Sequence, residues 1–401
     1  MRAALLFVPI LTLLGDCASR RLRVMTFNIW QTGMRVSNGL QKVAKHIAFV
    51  DPDIVALQEA KLGDSAPALL SLLGHPWTVL TDEESRLDVA ILTKHTVMRS
   101  TVTKTSHAIG GRIDLGFGDA VSMWNVHLDH KAYGPHAANN KMVASVDQIL
   151  AGEKLNNRAG RVQNIMEIFD DPQMKHWLNK SDNVPLILAG DFNTPSHLDW
   201  TEETIGRHGN WVVQWPVTKI VEAMGFIDSF RVVHPNVSEV PGYTWSTVYK
   251  FLPEWDFKIP EPQDRIDFIF YKGREINMMN DLAPELSRRK RAAWGAFKSI
   301  EDVVKRTKNT LLRAHIFDLT VLLALCYASE TWSLRKQDER SLSVIERAVE
   351  RTMIGNMIAV DSFIYAGPEA IKPIPYHREN DYPSDHFAVV TEFEMEESEK
   401  Q

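Results

Sequence analysis

Apolar residues along this chain gather in short runs, and most runs stop at a polar side chain. Seven read as buried strands: RLRVMTFN (21–28), DIVALQE (53–59), DVAILTK (88–94), AVSMWNVHLD (120–129), VPLILAGDFN (184–193), RIDFIFYK (265–272) and HFAVVTEF (386–393). Between them the spacing turns helical. Leu40, Val43, Ala44 and Ile47 fall at i, i+3, i+4 and i+7, and so do Val162, Ile165, Met166 and Phe169. Strands alternating with helices predict an α/β fold. Residues 195–262 are rich in Trp, Pro and Gly and read as long loops with short elements.

Two stretches break this rhythm. Residues 1–19 run from one Arg through an apolar segment to small residues, the order of a secretory signal peptide, so export is expected. Asn179-Lys-Ser and Asn236-Val-Ser would then be glycosylation acceptors. Residues 282–356 are helical in pattern and hold 14 Lys and Arg against 9 Asp and Glu. That net +5 leaves −11 for the rest of a 401-residue chain whose total is −6. We expect a helical insertion there. It separates a first domain part (20–281) from a final part (357–396), and residues 397–401 are expected to be a disordered tail. Two Cys exclude a disulfide framework and a Cys-based zinc site. No stretch reads as a membrane span, and a monomer is expected.

The chemistry collects where the apolar runs end. Asn28 closes the first run, Glu59 the second, and His127 and Asp129 lie near the end of another. Asp191 and Asn193 follow a fourth, and Asp385 and His386 stand at the start of the last. Polar residues repeated at strand ends converge on one sheet edge, where open α/β sheets build sites. Asp267, among Ile266, Phe268, Ile269 and Phe270, needs a buried partner, and His386 suits it. A His held by a buried Asp is a general-base unit. Glu59, Asp385 and Asn28 are hard oxygen ligands that favour Mg²⁺, with Mn²⁺ as substitute, over zinc. Metal, base and anion-binding groups together read as phosphoester hydrolysis by an activated water. Neither a P-loop nor a G-x-S-x-G elbow occurs.

The ordered set TFN, LQE, NVHLD, GDFN, RIDF and SDH resembles the endonuclease/exonuclease/phosphatase superfamily over about residues 21–272 and 359–395. The resemblance implies a four-layer α/β/β/α sandwich of two packed mixed sheets. It also implies a metal site at Asn28, Glu59 and Asp385. His127 would contact phosphate, Asp191 and Asn193 would position water and phosphate, and Asp267 would orient His386 as the base. Within the insertion, AAWGAFKSI (292–300) and YASETW (327–332) resemble the end of a non-LTR retrotransposon reverse transcriptase, without its polymerase motif.

The expected activity is therefore that of a secreted, Mg²⁺-dependent phosphoesterase. An endonuclease and an inactivated, non-catalytic relative are the alternatives. The substrate class stays open between small molecule, lipid and nucleic acid. Duplex binding ordinarily needs a basic groove, and −11 outside the insertion weakens that option. Trp200, Trp211, Trp215, Trp245 and Trp255 read first as core and loop packing, with stacking on a sugar or base, or lipid contact, as the alternative. Tyr133, His130 and His136, in the polar run after His127, are expected to shape the substrate pocket, and Tyr133 and Trp245 to bind substrate.

Overall fold

A computed structural model describes residues 20–61, 66–82, 87–155, 160–252, 256, 258–273 and 357–395. The expected signal segment, the insertion at 282–356, Trp255 and the tail at 397–401 lie outside the described residues. The chain divides into two units, Met1–Arg274 with Gly355–Gln401, and Glu275–Ile354. The first unit carries every described strand and helix.

Twelve strands form two six-stranded sheets among the described residues. They are β1 (Arg20–Asn28), β2 (Ile54–Gln58), β3 (Thr78–Thr81), β4 (Val89–Thr93), β5 (Thr96–Lys104) and β6 (Ala108–Gly116). Then come β7 (Asp119–His127), β8 (Leu186–Asp191), β9 (Ile227–Asp228), β10 (Asp267–Lys272), β11 (Met357–Tyr365) and β12 (Ala388–Met395). One sheet runs β11-β12-β1-β2-β4-β3 and the other β5-β6-β7-β8-β10-β9. Each holds one parallel pair, β1/β2 and β7/β8, among antiparallel neighbours, so both are mixed. Parallel strands need a long crossover, and helices supply it: α1 (Gly39–Val50) links β1 to β2. After α2 (Ala66–Leu73), the β7 to β8 crossover carries α3 (Gly134–Asn139), α4 (Val146–Ile149), α5 (Arg161–Asp170) and α6 (Pro172–Leu178). Helices α7 (Pro216–Ala223) and α8 (Ser229–Val233) lie in the loop-rich stretch.

Strand parity sorts the side chains into layers. Val24, Ile54, Ala56 and Ile91 of one sheet meet Ile109, Met123, Ile187, Ala189 and Ile269 of the other in a core between the sheets. The alternate positions Met25, Phe27, Val55 and Leu57 pack outward on Val43, Ile47 and Leu69 of α1 and α2. Trp124, Leu188, Phe268 and Phe270 pack outward on Ile165, Phe169, Trp177 and Val221 of α5, α6 and α7. The result is helix, sheet, sheet, helix, with each fully buried aliphatic side chain contributing about 1.5–3 kcal/mol.

Three features refine the reading of the sequence. The run at 265–272 enters the sheet only at Asp267, because Arg265 is drawn into buried ion pairs with Asp199 and Asp228. Trp200 and Trp215 take the packing role and not the stacking one, since both are fully buried in a small core with Val213 and Ile149. Strands β3, β5, β6, β9 and β11 do not stand out as apolar runs. β5 is mostly exposed or half-buried and has no continuous apolar face. At the seam of the undescribed segment, a Cβ placed on Gly273 would lie 3.9 Å from the backbone nitrogen of Met357.

Candidate active site

The inward-facing columns change character toward one end of the sandwich. Above the apolar core, Thr26, Gln58 and Asn125 form a buried polar layer. Gln58 donates from Nε2 to Thr26 Oγ1 (3.1 Å) and Asn125 Oδ1 (2.7 Å). Asn125 Nδ2 donates to the carbonyls of Leu57 and Ala90 at 2.8 and 2.7 Å. One step further along the same parity stand Asn28, His127, Asp191 and Asp267. Asp191 is the registered neighbour of His127 in β7 and of Asp267 in β10. Two buried carboxylates on adjacent strands are costly unless cations face them, and two histidines do.

His386 is the first of these. Its Nδ1 lies 3.0 Å from Asp267 Oδ2, and its Nε2 lies 3.8 Å from Asp191 Oδ2. Burial opposes its charge, but Asp267 and Asp191 outweigh burial and push its pKa up to about 10. His127 is the second. Its Nδ1 lies 2.9 Å from Asp88 Oδ2 and its Nε2 3.7 Å from Asp191. Burial again opposes charge, and Asp88 with Asp191 raises the pKa to about 9. Burial and the Asp267 charge raise the pKa of Asp191 itself, partly offset by the histidines. Among the described residues, Asp191, Asp267 and His386 form the tight buried cluster of acidic and imidazole groups.

Asn28 joins this cluster to a second one. Its Nδ2 donates to Asp191 Oδ2 (3.0 Å) and Glu59 Oε1 (3.4 Å), and its Oδ1 accepts from the Trp30 amide (3.0 Å). Glu59 sits at φ 54°, and Trp30, Gln31, Thr32 and Asn193 also have positive φ. Such strain, uncommon in residues with a Cβ, gathers where a fold holds functional side chains in place. The Gln31 amide holds Glu59 Oε2 at 2.8 Å. Asp385 is buried, and burial with the nearby Glu59 charge pushes its pKa up to about 7. Its Oδ1 has no hydrogen-bond partner. A buried carboxylate oxygen without a donor, beside a second carboxylate, fits a hard divalent cation. Asn193 completes the group: its amide donates to Asp191 Oδ1 (2.8 Å) and its Nδ2 to the Leu128 carbonyl (2.9 Å).

The structure thus brings together Asn28, Glu59, His127, Asp191, Asn193, Asp267 and His386, with Asp385 adjoining. Tyr133 and Trp245 lie beside them. Their ring centroids are 5.5 Å apart at 87°, and Trp245 is 6.1 Å from the His386 ring. They line, with His130 and His136, a cavity of about 500 Å³ that reaches Asn193. A polar recess of about 400 Å³ lies against His127, lined also by Lys61, Asp88 and His107.

Several supporting residues carry no mark in the sequence. Asp88 orients His127, but it opens an apolar run just as an ordinary cap would. Ser384 Oγ donates to the Asn28 carbonyl (2.6 Å) and accepts from the His386 amide (3.0 Å), so it ties the two motifs together. Thr244 Oγ1 accepts from the amides of Ile266 and Asp267 at 3.0 and 3.3 Å. Asp264, two residues before Ile266, accepts from Tyr133 Oη (2.9 Å) and Trp200 Nε1 (2.9 Å). Only the Ser-Asp-His motif holds a signal for any of these.

The profile of the Endonuclease/Exonuclease/phosphatase family matches residues 25–278. Uncharacterized protein F14F9.5 of Caenorhabditis elegans is 50% identical over 280 residues, covering 68% of this chain and 87% of that one. Putative uncharacterized transposon-derived protein F52C9.6, from the same worm, is 37% identical over 92 residues. That match covers 23% of this chain and 33% of its own length. Among solved structures, an AP endonuclease from Archaeoglobus fulgidus aligns over 92% of this chain and 98% of its own, at 14% identity and a TM-score of 0.44.

Proposed function

The chain belongs to the Endonuclease/Exonuclease/phosphatase family, and on that premise we propose that it is a Mg²⁺-dependent phosphoesterase. In this reading His386 is the general base for an attacking water. One observation carries it: the His386 imidazole is held by Asp267 on one nitrogen, while the other faces Asn28 and Asp191.

Each residue then has a task. Asp267 fixes the ring by accepting from Nδ1; the base is the neutral imidazole, the form above its raised pKa, whose Nε2 is then bare to take a proton. Asp191 and Asn193 orient the water and a phosphate oxygen. His127, kept cationic by Asp88, offers charge to the phosphate. Glu59 and Asp385 would hold the divalent cation, with Asn28 reaching it through Oδ1 once its amide turns over, and the cation when bound supplies charge neutralisation to the phosphate oxygens. Tyr133 and Trp245 would contact the organic part of the substrate.

The test is a purified panel of duplex DNA, RNA, sphingomyelin, sugar phosphates and inositol phosphates, each with Mg²⁺ and with excess chelator. Hydrolysis of at least one class is expected with metal and not with chelator. Glu59→Gln keeps the shape but removes a ligand charge, and should lower that turnover by roughly 10²-fold or more. Full activity in excess chelator would refute the reading.

We also propose that the protein is exported and that residues 282–356 derive from a retroelement. The charged, apolar and small-residue order at 1–19 supports export, and Asn179 and Asn236 are both exposed. The basic composition and the AAWGAFKSI and YASETW motifs support the second point. The identity to a protein described as transposon-derived is in keeping with it. Sequencing the mature N-terminus and a mobility shift with glycosidase test export.

A further inference from the structure

The cavity beside His386 has a composition that constrains what the phosphate is esterified to. It has about 500 Å³, the scale of a site for one small molecule and not for a duplex. Trp245 and Tyr133, packed edge to face with 5.5 Å between ring centroids and 87° between ring planes, form one aromatic wall. Met142, Leu252 and Ile266 add aliphatic surface. The two rings pack edge to face on one another, and the aromatic surface they leave to the cavity suits a flat ring, stacked or edge-on. Two pairs of polar groups tie up part of the lining. His136 Nε2 lies 2.8 Å from Glu261 Oε1, and Tyr133 donates to Asp264. Lys131 is the one Lys or Arg lining it among the described residues, and the carboxylate of Glu261 lies in the same wall. A second phosphate would therefore find little compensation there. The cavity is continuous with the proposed reaction centre, because Asn193 lines it while its amide holds Asp191, and Trp245 lies against His386.

We propose that this cavity is the specificity subsite and that it takes a compact, uncharged aromatic ring carried by a small phosphoester. The inference rests on the phosphoesterase reading, and Tyr133 and Trp245 are its specificity determinants. A polymer backbone or a phosphate-dense headgroup does not match these walls.

Non-hydrolysable phosphonates separate the two readings. The full-length protein is titrated calorimetrically, in Mg²⁺, with methylphosphonate, pentylphosphonate and phenylphosphonate. Phenylphosphonate should bind at least about tenfold tighter than methylphosphonate, with pentylphosphonate between them. Ala137→Trp, which fills the cavity from α3, should bring the phenyl-to-methyl ratio toward one. Ile259→Trp does the same from the facing loop and serves if the first variant is unstable on heating. Equal affinities for methyl and phenyl, or a ratio that neither variant moves, overturn the subsite while leaving the phosphate centre standing. Pentylphosphonate matching phenylphosphonate overturns the ring. If no phosphonate binds, both readings fall.

Discussion

Two buried histidines have pKa values moved in opposite directions, and their neighbours explain it. His386 faces Asp267 and Asp191 and is pushed up to about 10. His208 lies stacked on Trp200, ring centroids 4.3 Å apart at 17°, and burial drives its pKa down to about 4 against the weaker pull of Asp199. Asp264 is 3.8 Å from its Nδ1 and Arg207 is its chain neighbour. The neutral form is thus the folded one. Its contribution is complete above about pH 6.5 and is lost as pH falls toward 4, up to roughly 3 kcal/mol. Urea titrations at pH 8 and pH 5 should show the wild type losing more stability on acidification than His208→Asn. Equal losses would mean that His208 is not the acid-sensitive group. At the other histidine, His386→Ala should lower turnover roughly 10²–10⁴-fold, the range for a lost general base. Asp267→Asn should cost less, because it misorients the base but leaves it present, and should lower kcat more than it alters KM. Near-wild-type turnover without His386 would end its assignment as the base.

Pairing between elements places the reacting groups. β7 and β8 run parallel and put His127 level with Asp191, and the step before Asp191 is Gly190 at φ 149°. A Cβ there would sit 2.0 Å from the Val126 carbonyl oxygen. Gly190→Ala should therefore wedge the two strands apart and cost about 2 kcal/mol or more. A melting temperature within a degree of wild type would contradict this. The ends of these strands are legible in the sequence because an apolar run that halts at Asn28, Glu59 or Asp191 marks both a strand and its end. Parity then puts Asp267 and Asp191 on one face. What parity cannot encode is which distant residue answers a buried charge. Arg265 pairs with Asp199 and Asp228 across stretches that read only as loop. Asp88 looks like any cap, and nothing local to Trp200 or Trp215 distinguishes a core indole from a binding one. β5 stays hidden because its side chains have no buried face to set a period.

Across the whole molecule, the groups proposed as catalytic straddle a long interruption. Asp267 opens β10 before residues 274–356, and Asp385 and His386 precede β12 after them. Lengthening a surface connection costs only about 0.6 kcal/mol per doubling, so an insertion at this point is tolerable. Deleting residues 282–356 should preserve metal-dependent turnover and thermal stability. Loss of both, with the full chain active, would make the segment an integral part of the fold. The nearness of Gly273 to Met357 carries a further consequence. The polypeptide there need not be continuous. A fragment ending after β10 would hold Asn28, Glu59, His127, Asp191 and Asp267. A second, starting before β11, would bring Asp385 and His386 on a strand pair that zips onto β1 through seven registered residues from Arg20 to Thr26. Neither fragment alone contains both the base and the carboxylate that orients it. The seam is thus a place to divide the protein into two silent halves whose activity would report on their being brought together.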